Sequence, residues 1–354
     1  MNRANWLSLF FAACLLAGCN SESASNTADD GVLGLADPLS SRDADPKLQN
    51  SKPADLSLKL KPGMRIPLKK TIQQELSQSS IKGVKKSTSS LELMMAITVD
   101  EIRENDKKFD VQYSHVKYSQ NLDNKSLSYD SAIPNSPVPT AALPYQGMIN
   151  NGFEFWVGQD NQIKEILGYE QFLDKCLAKI PEAQKQQLMM QIAASSQHDG
   201  LANFIDDTIG LLPYDEKAEK NGTVVNVGFT WTRRRYLNQP LPITVEQTYT
   251  IKEINEKVAL LDMTGAVLPT TSLSKETYDG LNVQIRGGNS YGQCTIDLAT
   301  GLPTQSQVDQ YIDMLVALDG GITFEQRKHI LTTVNAYPPQ ASQAIQQVGH
   351  ELSR

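Results

Sequence analysis

The chain has 354 residues and a formal net charge of −7, with 33 Lys and Arg against 40 Asp and Glu. That acidic balance argues against nucleic acid as a partner. The length is enough for one large or two ordinary domains with real cores.

The N-terminus reads as a secretory leader. Arg3 and the free amine supply positive charge, and "WLSLFFAACLL", Trp6 to Leu16, supplies a short apolar run. A permanent transmembrane helix needs about 20 apolar residues, so this run is too short, and no later run is long enough. Leu16-Ala17-Gly18-Cys19 follows. It resembles the lipobox of bacterial lipoproteins, in which small residues fit a narrow peptidase site and the cysteine thiol takes a diacylglyceryl group. By that resemblance residues 1–18 are removed and Cys19 is lipidated. Three acyl chains, at about 0.8 kcal/mol per buried methylene, would hold the chain to a membrane. Asn20 rather than Asp follows the cysteine. In bacterial lipoproteins that implies export to the outer membrane, facing the periplasm. Loss of Arg3 would leave 32 basic against 40 acidic residues, a charge of −8.

Residues 19–54 read as a flexible tether, rich in Ser, Asn, Asp and Ala and unable to bury enough apolar surface to fold. Such a segment spans on the order of 30 Å.

From 55 to 167 the pattern is β-rich. "SLELMMAITVDEI" and "KKFDVQYSHVKYS" flank the polar turn "RENDKK" and predict a hairpin. A second hairpin is predicted by "FEFWV" and "IKEIL" about "GQDNQ". Pro134, Pro137, Pro139 and Pro144 mark an irregular connection between them. Residues 168–218 read as helical. In "YEQFLDKCLAKI", Phe172, Leu173, Cys176, Leu177 and Ile180 share one face, and Pro181 ends the helix.

A second β-rich unit is expected over 219–338, and it reads as a copy of the first. "TVDEIREN" from Thr98 matches "TIKEINEK" from Thr250, each ending a strand and turning into another. Each half opens on a Gly-led strand, "PGMRIPLKKTIQQEL" and "VGFTWTRRRYL", and each later carries a hairpin with a polar tip. Residues 305–337 can be read as two helices or as a hairpin about Asp319-Gly320-Gly321, and the hairpin is preferred because "ILTTV" favours a strand. Residues 339–354 read as a polar tail, a frayed helix. The fold class is therefore α+β and β-rich, a duplicated, mainly antiparallel sheet unit with a helical insert. The Gly-led strand, the long strands and the D-x-x-T-G turn at Asp297–Gly301 resemble a family of bacterial lipoproteins of unknown function. That resemblance implies an envelope β-protein and no known activity.

Candidate chemistry is sparse. Gly288-Asn289-Ser290-Tyr291-Gly292 matches the G-x-S-x-G nucleophile elbow, with Asp297 or Asp309 and His329 or His350 following. The elbow needs a strand-turn-helix context, and "QCTIDLATG" reads as strand and turn, so a hairpin loop is the preferred reading. No His, Cys or carboxylate spacing suggests zinc, and no glycine loop cradles phosphate, so no metal or cofactor is expected. Cys176 and Cys294 are the cysteines left beyond Cys19 in the mature chain, either as a disulfide or as two buried thiols. Arg233 and Arg235 share a strand face with Trp231 and are candidates to contact an anionic partner, or else protect an edge strand. Phe153, Phe155 and Trp156 line an apolar pocket or form ordinary core.

Together these readings predict a non-catalytic, membrane-anchored periplasmic lipoprotein that binds an apolar ligand or an envelope partner. Helices on a sheet resemble the architecture of envelope lipid carriers. The alternatives are an assembly scaffold binding other envelope proteins and a serine hydrolase using Ser290.

Overall fold

A computed structural model of the chain describes residues 52–341 except 81–82, 105, 123–124, 159–162, 183–184, 186–223, 238–242, 270–280, 319–321 and 339. The leader, Cys19 and the expected tether up to residue 51 lie outside the described residues, as does most of the expected helical segment, while Ala54, expected to end the tether, is buried in a strand.

The first half contributes β1 (Ala54–Asp55), β2 (Met64–Ser80), β3 (Gly83–Arg103), β4 (Asp106–Leu122), β5 (Lys125–Asp130), β6 (Gly152–Val157) and β7 (Ile163–Leu167). Two short helices belong to it, α1 (Leu143–Met148) and α2 (Tyr169–Leu177). The second half contributes β8 (Val224–Val225), β9 (Thr230–Leu237), β10 (Ile243–Ile254), β11 (Val258–Leu268), β12 (Leu281–Asp297), β13 (Pro303–Leu318), β14 (Thr323–Ala336) and β15 (Gln340–Ala341).

Thirteen of these strands form a single antiparallel sheet, whose main path runs β7-β6-β4-β3-β2-β14-β13-β12-β11-β10-β9, with β5 on β4 and β15 on β2. The two halves follow one another head to tail. The last long strand of the second half, β14, pairs with the first of the first half, β2, from Gln326↔Gln78 to Ala336↔Leu68. Both copies thus build one sheet rather than one sheet each. Its described path ends at β7 and β9 and does not close into a barrel.

The halves share a frame. Gly63 and Gly228 both take positive φ, 80° and 84°, one residue before β2 and two before β9. Their N–H groups donate to the carbonyls of Val99 and Ile251 at 2.7 and 2.8 Å, and these two acceptors are matched residues of the sequence repeat. Each following hairpin carries a register break at the same place, Val99/Glu101 in β3 and Ile251/Glu253 in β10. A bulge inserts one extra residue and sharpens local twist. Here the extra residues are Asp100 and Lys252.

Several details differ from expectation. The "GNSYG" stretch is mid-strand in β12, not a loop. A carbon added to Gly288 would meet the Tyr311 carbonyl oxygen at 2.0 Å, and one added to Gly292 the Gln307 carbonyl oxygen at 2.5 Å. These glycines answer close backbone approach, not a turn. The preferred hairpin reading of 305–337 holds, since β13 and β14 pair antiparallel from Gln305↔Asn335 to Ala317↔Thr323. The Pro-rich connection contains α1, with Pro in its first turn, where the missing N–H costs nothing. The tail begins as strand β15 rather than helix.

The core falls into three main clusters on the inner face of the sheet. The first half holds an aromatic cluster, with Phe109, Tyr113, Tyr118, Phe153, Phe155 and Phe172. The second holds Trp231, Tyr249, Ile251, Leu261, Met263, Cys294 and Ile296. A third gathers Leu76, Val245, Val267, Ile285, Ile312 and Met314 towards the other end of the strands. Residues 54–60 form a strap between the first two. β1 pairs with β8. Leu56 is buried in the second half's cluster, and Leu58 and Leu60 in the first half's. Lys59 N–H donates to the Thr300 carbonyl at 2.8 Å, holding the strap against the β12–β13 turn.

Candidate functional site

The inner face of a strand is read off by alternation. In β2 it comprises Ile66, Leu68, Lys70, Ile72, Gln74 and Leu76, so an apolar series is interrupted by Lys70 and Gln74, both buried. Strand register extends this reading sideways. Gln120 on β4 pairs with Ser89 on β3, and Ser89 pairs with Gln74 on β2. Gln74 pairs with Ile330, and Ile330 with Gln310. Gln310 pairs with Ser290, Ser290 with Gly265, Gly265 with Gln247, and Gln247 with Arg233.

One line of residues therefore crosses nine strands: Gln120, Ser89, Gln74, Ile330, Gln310, Ser290, Gly265, Gln247 and Arg233. Apart from Ile330 and Gly265 it is polar. Gln74, Ser89, Gln120, Gln247 and Ser290 are each at most 6% exposed. This polar belt lies on the boundary between the third apolar cluster and the other two.

Burial of a neutral amide without a partner costs about 1–3 kcal/mol, so a belt of this kind calls for an accounting of hydrogen bonds. Two glutamines are partly satisfied by tyrosines two residues away. Tyr118 Oη donates to Gln120 Oε1 at 3.3 Å, and Tyr249 Oη to Gln247 Oε1 at 3.1 Å. Gly265 makes room at its point of the belt. A carbon there would lie 2.5 Å from Ser290 Oγ and 3.0 Å from Gln247 Cγ. Gln74 Oε1 and Gln120 Nε2 have no hydrogen-bond partner although both atoms are buried. They flank Ser89 on adjacent strands, one an acceptor and the other a donor.

The sequence-predicted residues fall elsewhere or in other roles. Phe153 and Phe155 belong to the aromatic core. Phe155 stacks on Phe109 at 5.3 Å, and Phe153 meets Phe172 edge-on at 5.3 Å. Trp156 points to the opposite face, where the Arg103 guanidinium sits 4.7 Å from its ring centre. The three aromatics thus do not line one pocket. Cys176 and Cys294 are both free and buried, one on the inner side of α2 in the first cluster and one on β12 in the second. The disulfide alternative is corrected, since each thiol is held in a different core. Burial pushes both thiols up to about 12, which leaves them protonated and unreactive. Arg233 does share the inner face with Trp231, at the β9 end of the belt. The side chain of Arg235 lies outside the described residues. Arg234, between them, points outward and donates to Glu246 Oε2 at 3.0 Å through Nε.

Ser290 is not a nucleophile elbow. It is 2% exposed in mid-strand, with no helix following. His329 and Asp309, bonded at 2.7 Å, occupy the opposite parity of β14 and β13 and so the other face. His329 there stacks on Tyr311 at 4.4 Å. His350 and His198 lie outside the described residues. Among the described residues no cluster of His, Cys, Asp or Glu is arranged to hold a metal, and no helix is long and apolar enough to cross a membrane.

A family model, described as a family of unknown function (DUF6263), matches residues 104–303, more than half of the chain, and the chain belongs to that family. No curated protein matches. Among solved structures the chain is similar to lipovitellin, at 10% identity and a TM-score of 0.44 over 82% of this chain, and it spans 26% of that longer chain. It is also similar to an outer-membrane channel from Pseudomonas putida F1, at 8% identity and a TM-score of 0.17, covering 83% of this chain and 100% of the other. A putative outer membrane lipoprotein-sorting protein domain from Vibrio parahaemolyticus matches at 8% identity and a TM-score of 0.15, covering 79% of this chain and 87% of that one.

Proposed function

We propose that this DUF6263 member is a non-catalytic cell-envelope lipoprotein, anchored to the outer membrane through acylated Cys19 and facing the periplasm, that binds an apolar ligand on the inner face of its sheet. The observation that carries the binding part is the inner face itself. It is apolar across an open sheet, yet it buries two glutamine amide atoms without partners. A face that served only as core would gain stability by losing those groups. A bound molecule gives them a purpose. The anchoring part rests on the leader and the Leu16–Cys19 motif. The absence of catalysis rests on burial of Ser290 and both described thiols.

Native mass spectrometry of the full chain, extracted from membranes in mild detergent, tests the binding part. A reproducible excess mass that chloroform removes is expected. A spectrum of the bare acylated polypeptide overturns it. Cys19→Ala should lose palmitate labelling and leave the membrane fraction, and retained labelling would overturn the anchor.

A second reading, an assembly component that binds another envelope protein by strand addition, is favoured by the end strands β7 and β9 of the described sheet path. Crosslinking from β9 in intact cells would detect such a partner.

A further inference from the structure

Register aligns β9 with β2 residue by residue. Thr98 faces Arg65, and its repeat counterpart Thr250 faces Thr230. Pro67, Leu68, Lys69, Lys70 and Thr71 therefore correspond to Thr232, Arg233, Arg234, Arg235 and Tyr236. The β6–β7 and β12–β13 hairpins break register at matched places, Trp156/Val157 and Thr295/Ile296, which aligns Ile163 with Pro303. In the middle of the sheet β14 lies between β2 and β13. Among the described residues their counterparts, β9 and β7, end the path, each paired with one neighbour.

Of these two ends β9 matches more of what β14 covers. β14 pairs with β2 from Leu68 onward, and Leu68 to Ile72 have counterparts in β9, Arg233 to Leu237. β7 stops at Leu167, the counterpart of Gln307, so only Glu165, Ile166 and Leu167 match residues of β13 that pair with β14. Backbone direction agrees. Alternate residues of an antiparallel strand turn both polar groups to the same side. The Phe229 carbonyl accepts from Ile251 N–H at 2.9 Å, so Thr232, Arg234 and Tyr236 turn their N–H and C=O away from β10. The same parity aims Pro67 at the far side of β2, where its carbonyl accepts from Tyr337 N–H, just past β14, at 2.9 Å.

Side chains give the chemistry of what would add there. Three consecutive arginines stand where β2 has Leu68, Lys69 and Lys70. Opposite charges across a ladder stabilise it, and like charges directly opposite destabilise it. A second copy adding through its own β9 would set arginine against arginine over this stretch. On the outer face Arg234 already bonds Glu246 of β10, directly across the ladder. A carboxylate on its other side would continue that row with alternating sign.

Resting on the strand-addition reading above, we propose that β9 is the docking edge for an acidic extended segment of another envelope protein. The segment adds antiparallel along Thr232–Leu237, in the register that β14 holds on β2. The arginines then select the partner as well as guard the edge, because they reject basic strands.

Peptides copied from Ile330–Tyr337 test this on the full chain in mild detergent, by anisotropy of an N-terminal fluorophore. In one, Val334, Asn335 and Ala336 are replaced by Glu, Asp and Glu. In the other all three are replaced by Lys. At low ionic strength the acidic peptide should bind on the order of tenfold tighter. In the proposed register the peptide residues in the places of Thr333, Asn335 and Tyr337 face β9. N-methylation in the place of Asn335 should weaken binding about tenfold, the ratio one hydrogen bond is worth, and N-methylation one residue earlier should not. Thr232→Pro copies Pro67 of β2 and should bind as the unaltered chain does. Arg234→Pro removes a donor that faces the added strand and should lose binding. Equal affinity of the acidic and basic peptides for the unaltered chain, or of the two N-methylated forms, overturns the inference whether or not the variants fold. The strand-addition reading then still stands if crosslinking from β9 in intact cells captures a partner protein. Capture of nothing, or of this chain alone, overturns both.

Discussion

The two halves of the sheet share a frame and differ in filling. Both begin at a positive-φ glycine bonded to the same repeat position, and both break register one residue later in the paired strand. In the first half the frame is packed with stacked rings and covered by α1 and α2, with Tyr145 on Tyr118 at 5.3 Å and Phe172 on Tyr113 at 5.6 Å. In the second, the matched positions hold Leu261, Met263 and Gly265, and the main described aromatic stack is Trp231 on Tyr249 at 5.2 Å. Backbone devices have been kept where they set strand direction, whereas side-chain volume has diverged. The difference suggests that the first half is built for rigidity and the second for a smoother inner wall along the same belt.

The sharpest break of that comparison is in the cores. Phe109 and Leu261 occupy matched repeat positions, 2% and 0% exposed. Phe109→Ala should cost about 3–5 kcal/mol, the range for a buried ring, and should lose the stacking with Phe155 besides. Leu261→Ala should cost about 1 kcal/mol less, towards the middle of the leucine range. Urea unfolding of both variants measures the gap, and equal losses would show that the aromatic filling adds no rigidity.

The strap comes next, because it is the element that ties one filling to the other. Gly301 has φ 74°, and a carbon there would lie 2.0 Å from the Ser57 carbonyl oxygen. Gly301→Ala should cost about 2–3 kcal/mol through strain and a displaced strap. Hydrogen exchange should show the amide of Lys59 losing protection together with amides in both halves. Loss confined to one half would mean that the strap does not couple them.

The shared frame gives a smaller and symmetrical effect. Nothing lies within 4 Å of a carbon added at Gly63 or Gly228, so an alanine meets only the left-handed backbone penalty. Each substitution should cost about 1–2 kcal/mol, and the two costs should be equal. Unequal losses would argue that the glycines do not play matched roles.

How far the sequence reveals this molecule depends on the range of the interactions. Hairpins were legible because alternation and turn residues lie within about 20 residues, as in β3–β4 and β6–β7. The duplication was legible from eight residues at Thr98 and Thr250. Glycines misled at Gly288 and Gly292, where composition looks like a loop while the constraint is a neighbouring carbonyl across the ladder. The belt was illegible. Gln74, Ser89, Gln120, Gln247 and Ser290 are unremarkable singly, and only the register of nine strands aligns them. One local signal was available: polar residues at the inward parity of β2, Lys70 and Gln74 within "LKKTIQQEL". The lure of G-x-S-x-G fails for the same reason, since parity decides which face Ser290 and His329 occupy.

The finest test of the two halves is electrostatic and sits at the bulges. Asp110 and Asp262 are matched, and each lies near the extra residue of the bulge, Asp100 in the first half and Lys252 in the second. Burial, with Glu154 and Asp100 adding repulsion and Lys108 opposing it, holds the Asp110 carboxyl above its usual range. A carboxyl raised in the fold binds its proton more tightly there than in the unfolded chain. Its contribution therefore falls as pH rises from about 4 through the raised value. Asp110→Asn should gain about 0.5 kcal/mol or less at pH 7, and the gain should vanish at pH 3, where the aspartate is protonated. Asp262 faces the opposite situation, with Lys252 Nζ at 3.2 Å and Gln293 Nε2 donating to it at 3.3 Å. Asp262→Asn should lose about 0.5 kcal/mol or less at pH 7, in the range of an exposed ion pair, and less in 1 M salt. Thermal unfolding at both pH values reads the two signs side by side. If both substitutions moved stability in the same direction, the charge swapped at the bulge would not be what distinguishes the halves.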